Sequence, residues 1–215
     1  MEKLKNNYIV QAWLVLLLTL CFGSSLAGVQ ILLSPKIEAN KINETRQKIP
    51  GLILDKAALE RLEKEGGSLE IKPKTIRVTK NNRIVFYKVF QAIENGKVSG
   101  WVVKSSGQGY ADKIELLIGL NPSLNKILGL FVLEQKETPG LGNKITKWQF
   151  RKQFILKSTN MPLVASKTGA TSPNEIDAIT GATISSRSIC SIINTAVKEI
   201  RASLKENPIN LKPMK

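Results

Sequence analysis

The run Asp177-Ala178-Ile179-Thr180-Gly181-Ala182-Thr183 places a carboxylate, two hydroxyls and a glycine where a loop becomes a helix. Pro173 and Asn174 precede it, and apolar residues follow at Ile189, Ile192, Ile193, Ala196, Val197, Ile200 and Leu204, offsets that lie on one helical face. A helix starts with N–H groups that have no intrahelical acceptor and with the positive end of its dipole, so a phosphate suits that position. Gly181 lets the backbone approach a ligand, and Ala182 keeps bulk away. Asp177 is expected to hydrogen-bond the amides of the turn and hold Thr183 outward. The result is a presented hydroxyl beside an anion site. By residue type alone, Thr183 also reads as an ordinary helix cap.

Upstream, Thr168-Gly169-Ala170-Thr171 repeats the tetrapeptide, but Ala165 stands where the aspartate would be and Ser172-Pro173 follows. That copy reads as loop. A second candidate segment, Glu137-Thr138-Pro139-Gly140-Leu141-Gly142, follows an apolar strand from Ile127 to Leu133 and precedes Trp148 and Phe150. One proline and two glycines in six residues make a tight exposed turn. A third, Gly107-Gln108-Gly109-Tyr110, reads by residue type as a turn between strands.

The Asp177–Thr183 run resembles the flavinylation motif of the FMN-binding domain family, matching at Asp177, Thr180, Gly181, Ala182 and Thr183. The resemblance implies FMN joined through its phosphate to Thr183 as a phosphoester. It also implies that a separate flavin transferase makes the bond with FAD as donor. Glu137, Thr138, Gly140, Leu141 and Gly142 look like the loop shared by two branches of that family. These are the G subunits of Rnf-type ion-translocating complexes and the C subunits of sodium-translocating NADH:quinone reductases. Gly107-Gln108-Gly109-Tyr110 is similar to the G-subunit form, and the resemblance is firm over residues 83–205. It implies an electron-relay subunit of a ferredoxin:NAD oxidoreductase whose partners are other membrane subunits. The flavin ring is then expected near the Glu137–Gly142 loop and Tyr110, and no independent catalytic site is expected. The quinone-reductase subunit, a free-standing anchored flavoprotein and a cationic membrane-tethered binding module stay open as alternatives.

Residues 6–35 carry no charge, and Tyr8 to Leu33 as a helix would reach roughly 39 Å, more than a bilayer core of about 30 Å. Tyr8 and Trp13 suit the lipid interface. Lys3, Lys5 and Ser25-Leu26-Ala27 give the competing reading of a cleaved signal peptide. Apolar residues resume past that point at Val29, Ile31, Leu32 and Leu33, which favours an uncleaved single-pass anchor. Flanking lysines and arginines do not decide orientation. By resemblance, the large domain lies on the extracytoplasmic side of the cytoplasmic membrane.

The chain thus divides into a tail and transmembrane anchor (1–35), a juxtamembrane helical linker (36–68), an FMN-binding domain (69–205) and a C-terminal tail (206–215). Asp55 to Glu65 reads as a short helix ended by Gly66-Gly67. Strands follow: one containing Ile76 and Val78, then Ile84 to Ile93, Val98 to Val103, Ile114 to Leu120 and Lys126 to Glu134. Turns are expected at Asn81-Asn82, Asn95-Gly96 and Asn121-Pro122. A helix near Ile145 to Phe154, a loop to Asp177 and the final helix complete an α+β fold, an antiparallel sheet with flanking helices.

With no histidine, triads that need one are excluded, and two cysteines cannot supply a four-ligand zinc or iron–sulfur site. No metal site is expected, and Cys21 and Cys190 read as apolar filler. The balance of 32 Lys+Arg against 17 Asp+Glu gives +15. The positive residues are scattered without a stacking-aromatic motif, so a solvated surface is expected and nucleic acid is not a partner. Lys144, Lys147, Arg151 and Lys152 form the one cluster suited to an acidic redox partner or to the flavin's anionic groups.

Overall fold

The computed structural model describes residues 8–64, 67, 69–80, 83–206 and 212–213. The chain divides into two compact units, Met1–Glu44 and Thr45–Lys215. A single helix, α1 (Tyr8–Lys48), supplies all of the first unit that is described. It is long and apolar enough to cross a membrane. Trp13, Leu16, Leu17, Leu20, Phe22, Leu26 and Ile31 are all exposed along it, so no protein core covers them. Two of its hydroxyls bond back along the helix: Thr19 Oγ1 donates to the Val15 carbonyl at 2.8 Å and Ser34 Oγ to the Gln30 carbonyl at 2.6 Å. The first part of the expected linker (36–68), up to Lys48, is the continuation of this helix through Pro35.

The second unit opens with α2 (Pro50–Ile53) and α3 (Lys56–Lys64). Asp55 caps α3, its Oδ1 accepting the Ala58 amide at 2.7 Å. Glu65 and Gly66, placed at the end of this helix by sequence, lie outside the described residues, as do Asn81 and Asn82. Five long strands follow: β1 (Glu70–Lys80), β2 (Arg83–Glu94), β3 (Lys97–Gln108), β4 (Lys113–Leu120) and β5 (Ile127–Glu134). Asn95 and Gly96 both have positive φ, 49° and 76°, between Glu94 and Lys97, which pair directly; this is the two-residue hairpin turn that Asn-Gly favours. The strand read as ending at Val103 continues to Gln108, because Ser105 to Gln108 still pair with β4.

After β5 the chain makes a 3-10 turn (Gly142–Thr146), a short α4 (Trp148–Arg151) and another 3-10 turn (Lys152–Phe154). The sequence suggested one helix here. The chain is broken because Ile145, Phe150 and Phe154 must all be buried, and their spacings of five and four do not keep one helical stripe. The expected loop before Asp177 contains two three-residue parallel strands, β6 (Val164–Ser166) and β7 (Glu175–Asp177). Then come α5 (Thr183–Glu206) and β8 (Lys212–Pro213).

The main sheet has the order β5-β4-β3-β2-β1-β8, antiparallel throughout. Both of its faces are covered. On one, Val89, Val103, Leu116 and Ile118 pack with Ile145, Phe154 and the α5 residues Ile189, Ile193, Ala196 and Ile200. On the other, α2 residues Leu52 and Ile53 join Phe90, Ala92, Val102 and Leu117. The apolar stripe read from the sequence of α5 is the stripe that is buried, and it fixes where Thr183 stands.

Candidate functional site

Thr183 is the first residue of α5, and the turn before it is tightly made. The Ala182 amide donates to the Ile179 carbonyl at 2.9 Å, closing a turn around Thr180 and Gly181. Gly181 has φ +81°, the left-handed value that the third position of such a turn can require. Ser186, one turn into the helix, locks both sides. Its Oγ accepts the Ile179 amide at 3.0 Å and donates to the Ala182 carbonyl at 3.0 Å. The first helical hydrogen bond runs from the Ser186 amide to that same carbonyl. The amides of Thr183, Ile184 and Ser185 therefore have no acceptor among the described residues. Thr183 is half-buried and its hydroxyl has no partner among the described residues, while Thr180 is exposed.

The Glu137–Gly142 loop joins this helix start through a buried carboxylate. Glu137 is only 4% exposed. Its Oε1 accepts the amides of Tyr110 and Ala111 at 3.0 and 3.1 Å, and its Oε2 accepts the Ser185 hydroxyl. One side chain thus ties the turn after β3, the loop after β5 and the first turn of α5. Gly142 sits inside this knot, where a Cβ would lie 2.8 Å from Glu137 Cβ and 2.9 Å from Ser185 Oγ. Leu141 lies over the turn, its Cδ2 3.0 Å from where a Cβ on Gly181 would stand. The Thr138 carbonyl accepts the amides of Leu141 and Asn143, and Gly140 adopts φ +75°. Two sequence motifs 40 residues apart therefore form one site.

Two expectations are corrected. Asp177 does not bond the amides before Thr183; its Oδ1 accepts the Ala170 amide at 2.6 Å, in the upstream repeat. Pairing of β6 with β7 sets that direction, with Asp177 opposite Ser166 and its own amide held by Gln153 Oε1 at 2.7 Å. The upstream copy is consequently occupied. Glu175 Oε2 accepts the Thr171 amide at 2.8 Å, its hydroxyl at 3.1 Å and the Ser172 amide at 3.2 Å.

The basic cluster also divides. Lys144 and Lys147 line a groove of about 570 Å³ with Gln153, Asp177 and Ile179, beside the turn. Arg151 instead turns inward: its Nε donates to the Thr146 carbonyl at 2.9 Å and Nη1 to the Leu130 carbonyl at 3.0 Å. Its guanidinium also lies over Phe131, and burial lowers its pKa from the ordinary value. Tyr110 contributes its amide to Glu137 and leaves its ring exposed. Gly107 packs against Ile192 of α5, a structural contact. Sequence reading missed Ser185 and Ser186; their positions in the first turn of a helix were the available signal.

The profile of the FMN-binding domain matches residues 109–198, which span both motifs. The chain is 32% identical over 138 residues to the G subunit of the proton-translocating ferredoxin:NAD(+) oxidoreductase complex of Clostridium ljungdahlii, covering 61% of this chain and 73% of that one. It is 34% identical over 122 residues to the G subunit of the ion-translocating oxidoreductase complex of Methanosarcina acetivorans, covering 57% and 61%. The match thus spans less than two thirds of the Methanosarcina protein. In fold, the chain is similar to the C subunit of the Na(+)-translocating NADH-quinone reductase of Parabacteroides distasonis. The TM-score is 0.60 at 22% identity, with 81% of this chain and 98% of that one covered. Sequence similarity and the joined motifs together place the chain: it belongs to the family of G subunits of ion-translocating oxidoreductase complexes, built on the FMN-binding domain.

Proposed function

We propose that this chain is a membrane-anchored electron carrier that holds FMN covalently through Thr183 within an ion-translocating ferredoxin:NAD oxidoreductase complex. The observation that carries the reading is the environment of Thr183, a hydroxyl beside three helix-start amides, none of which has a partner among the described residues. Those groups fit a phosphate ester: the amides and the helix dipole stabilise its negative charge, and Gly181 leaves room for it. When bound, FMN supplies the electron-accepting and electron-donating chemistry, which no side chain of this protein supplies. The protein's residues hold and orient. Ser186 fixes the turn, Glu137 fixes the neighbouring loop to the helix, and Leu141 presents an apolar, partly exposed surface where the flavin ring is expected.

Attachment joins Thr183 Oγ to the FMN phosphorus of FAD. The pyrophosphate bond would break, AMP would leave, and the hydroxyl proton would pass to solvent. A separate flavin transferase performs this step. The domain stands on the extracytoplasmic side, where a covalent link prevents loss of the cofactor. Partners are other membrane subunits that pass electrons to and from the flavin. The substitution Thr183→Ala, made alongside Thr171→Ala and co-expressed with the transferase, tests the site. Flavin fluorescence that survives denaturation is expected in the Thr171 variant and not in the Thr183 variant; equal labelling of both would refute the assignment.

A further inference from the structure

We propose that β2 and β3 part at one end to receive an extended segment of another protein of the complex, so that the sheet is completed only on assembly. The proposal rests on the reading of the chain as part of a membrane complex. β2 pairs with β1 from Ile93 down to Arg83. With β3 it pairs only from Glu94 opposite Lys97 to Lys88 opposite Lys104. β3 meanwhile continues to Gln108 against β4. The edges of 83–87 and 105–108 that face each other thus have no ladder partner among the described residues. Unpaired strand edges of this kind are templates for another strand.

Two grooves meet across the opening. One, of about 720 Å³, lies on the α5 side and includes Ile184, Ser188, Ile192 and Glu199 in its lining. The other, of about 340 Å³, lies on the opposite side with Phe86, Lys88, Lys104 and Glu115. Val85, Tyr87, Ser105 and Ser106 line both, so the two grooves flank the same parted strand ends. The separation is held from each side. Tyr87 donates its hydroxyl to Glu199 Oε2 at 2.5 Å, and Ser203 Oγ donates to the Arg77 carbonyl at 2.9 Å. These bonds draw the β1–β2 hairpin along α5, while β4 retains the end of β3.

The lining selects the occupant. Successive side chains of an inserted strand point to opposite faces. One row would meet Ile184, Ile192, the serine hydroxyls of α5 and the oppositely charged Arg187 and Glu199, a lining without net charge that suits small neutral residues. The other would meet exposed Phe86 and Lys88. Lys104 is already paired with Glu115 at 3.1 Å, whereas Lys88, directly across from it, has no ion-pair partner among the described residues. Like charges opposite each other are unfavourable, and an acidic residue on the incoming strand relieves this pair. The occupant is therefore an extended peptide with small neutral residues on one row and at least one Asp or Glu on the other.

Amide hydrogen exchange on the full chain in detergent, compared with the complex isolated from membranes, tests this. Amides of 85–87 and 105–108 directed at the opening should exchange fast in the chain alone and at least tenfold more slowly in the complex. Slow exchange in the isolated chain, no change on assembly, or protection of one edge alone would overturn the proposal. Lys88→Glu should lower the fraction of chain recovered in the complex and leave covalent flavin unchanged; undiminished recovery would overturn the acidic occupant. A chain that never assembles would overturn this proposal and the functional reading together, whereas a flavin-bearing, assembled chain with both edges open overturns this proposal alone.

Discussion

Ser185 donates a hydrogen bond to Oε2 of Glu137, 48 positions earlier in the chain, and so fastens the first turn of α5 to the loop after β5. Glu137→Ala would strand the amides of Tyr110 and Ala111 as well as this hydroxyl. Losing these three buried hydrogen bonds should cost about 3 kcal/mol. For a domain of this size that is a fall in Tm of roughly 6–12 °C. Glu137→Gln keeps the shape and one acceptor and should lose about a third as much. Thermal unfolding measures both, and an unchanged Tm in the alanine variant would contradict the clamp.

Gly181 and Gly140 share a left-handed φ, +81° and +75°, but only Gly181 lies in the turn that presents Thr183. Alanine at either position should cost about 1–2 kcal/mol from backbone strain. At Gly181 the new Cβ would also press on Leu141 Cδ2 at 3.0 Å, while at Gly140 nothing lies within 4 Å. Covalent flavin should therefore fall several-fold in Gly181→Ala and stay near the parent level in Gly140→Ala. In-gel fluorescence normalised to protein would show it, and equal labelling of the two variants would count against the turn's role.

Cys190 faces the core of α5, 3% exposed, and burial raises its thiol to a pKa of about 12. The nucleophilic thiolate is then scarce at pH 8, and the sulfur is shielded as well. A thiol-reactive maleimide at pH 8 should label Cys190 at least a hundredfold more slowly in the folded protein than in denaturant. Comparable rates would mean that the helix packs differently.

Glu175 is held below the usual carboxylate range by the amides of Thr171 and Ser172 and the Thr171 hydroxyl. Since its folded pKa lies below the unfolded one, its contribution is complete above the ordinary value of 4.5. It is lost as pH falls through the lowered value. Near neutrality the Thr171 hydroxyl stays engaged and unavailable as a rival attachment point. Amide chemical shifts of Thr171 and Ser172 should be flat above about pH 5.5 and titrate with a midpoint below 4.5; a higher midpoint would contradict the geometry.

Much of this arrangement was legible before the structure. The apolar stripe of α5, the Asn95-Gly96 turn and the strands around it follow from local periodicity and turn chemistry, and the structure keeps them. The start of α5 at Thr183 was legible because Gly181 and the apolar stripe mark it from both sides. What could not be read was long-range. Asp177 bonds Ala170 because β6 and β7 pair in parallel, and three-residue strands leave no pattern. Glu137 reads as an exposed turn residue; only the meeting of three segments makes it a buried clamp. Arg151 belonged by type with Lys144 and Lys147, yet its planar guanidinium reaches two carbonyls and an aromatic ring that only tertiary packing brings near.

The most direct measurement is the mass of the intact chain, expressed with a flavin transferase and denatured, followed by mapping of the modified peptide. One FMN less one water, located on Thr183, is the expected result. An unmodified chain, or FMN located on Thr171, would contradict attachment at Thr183.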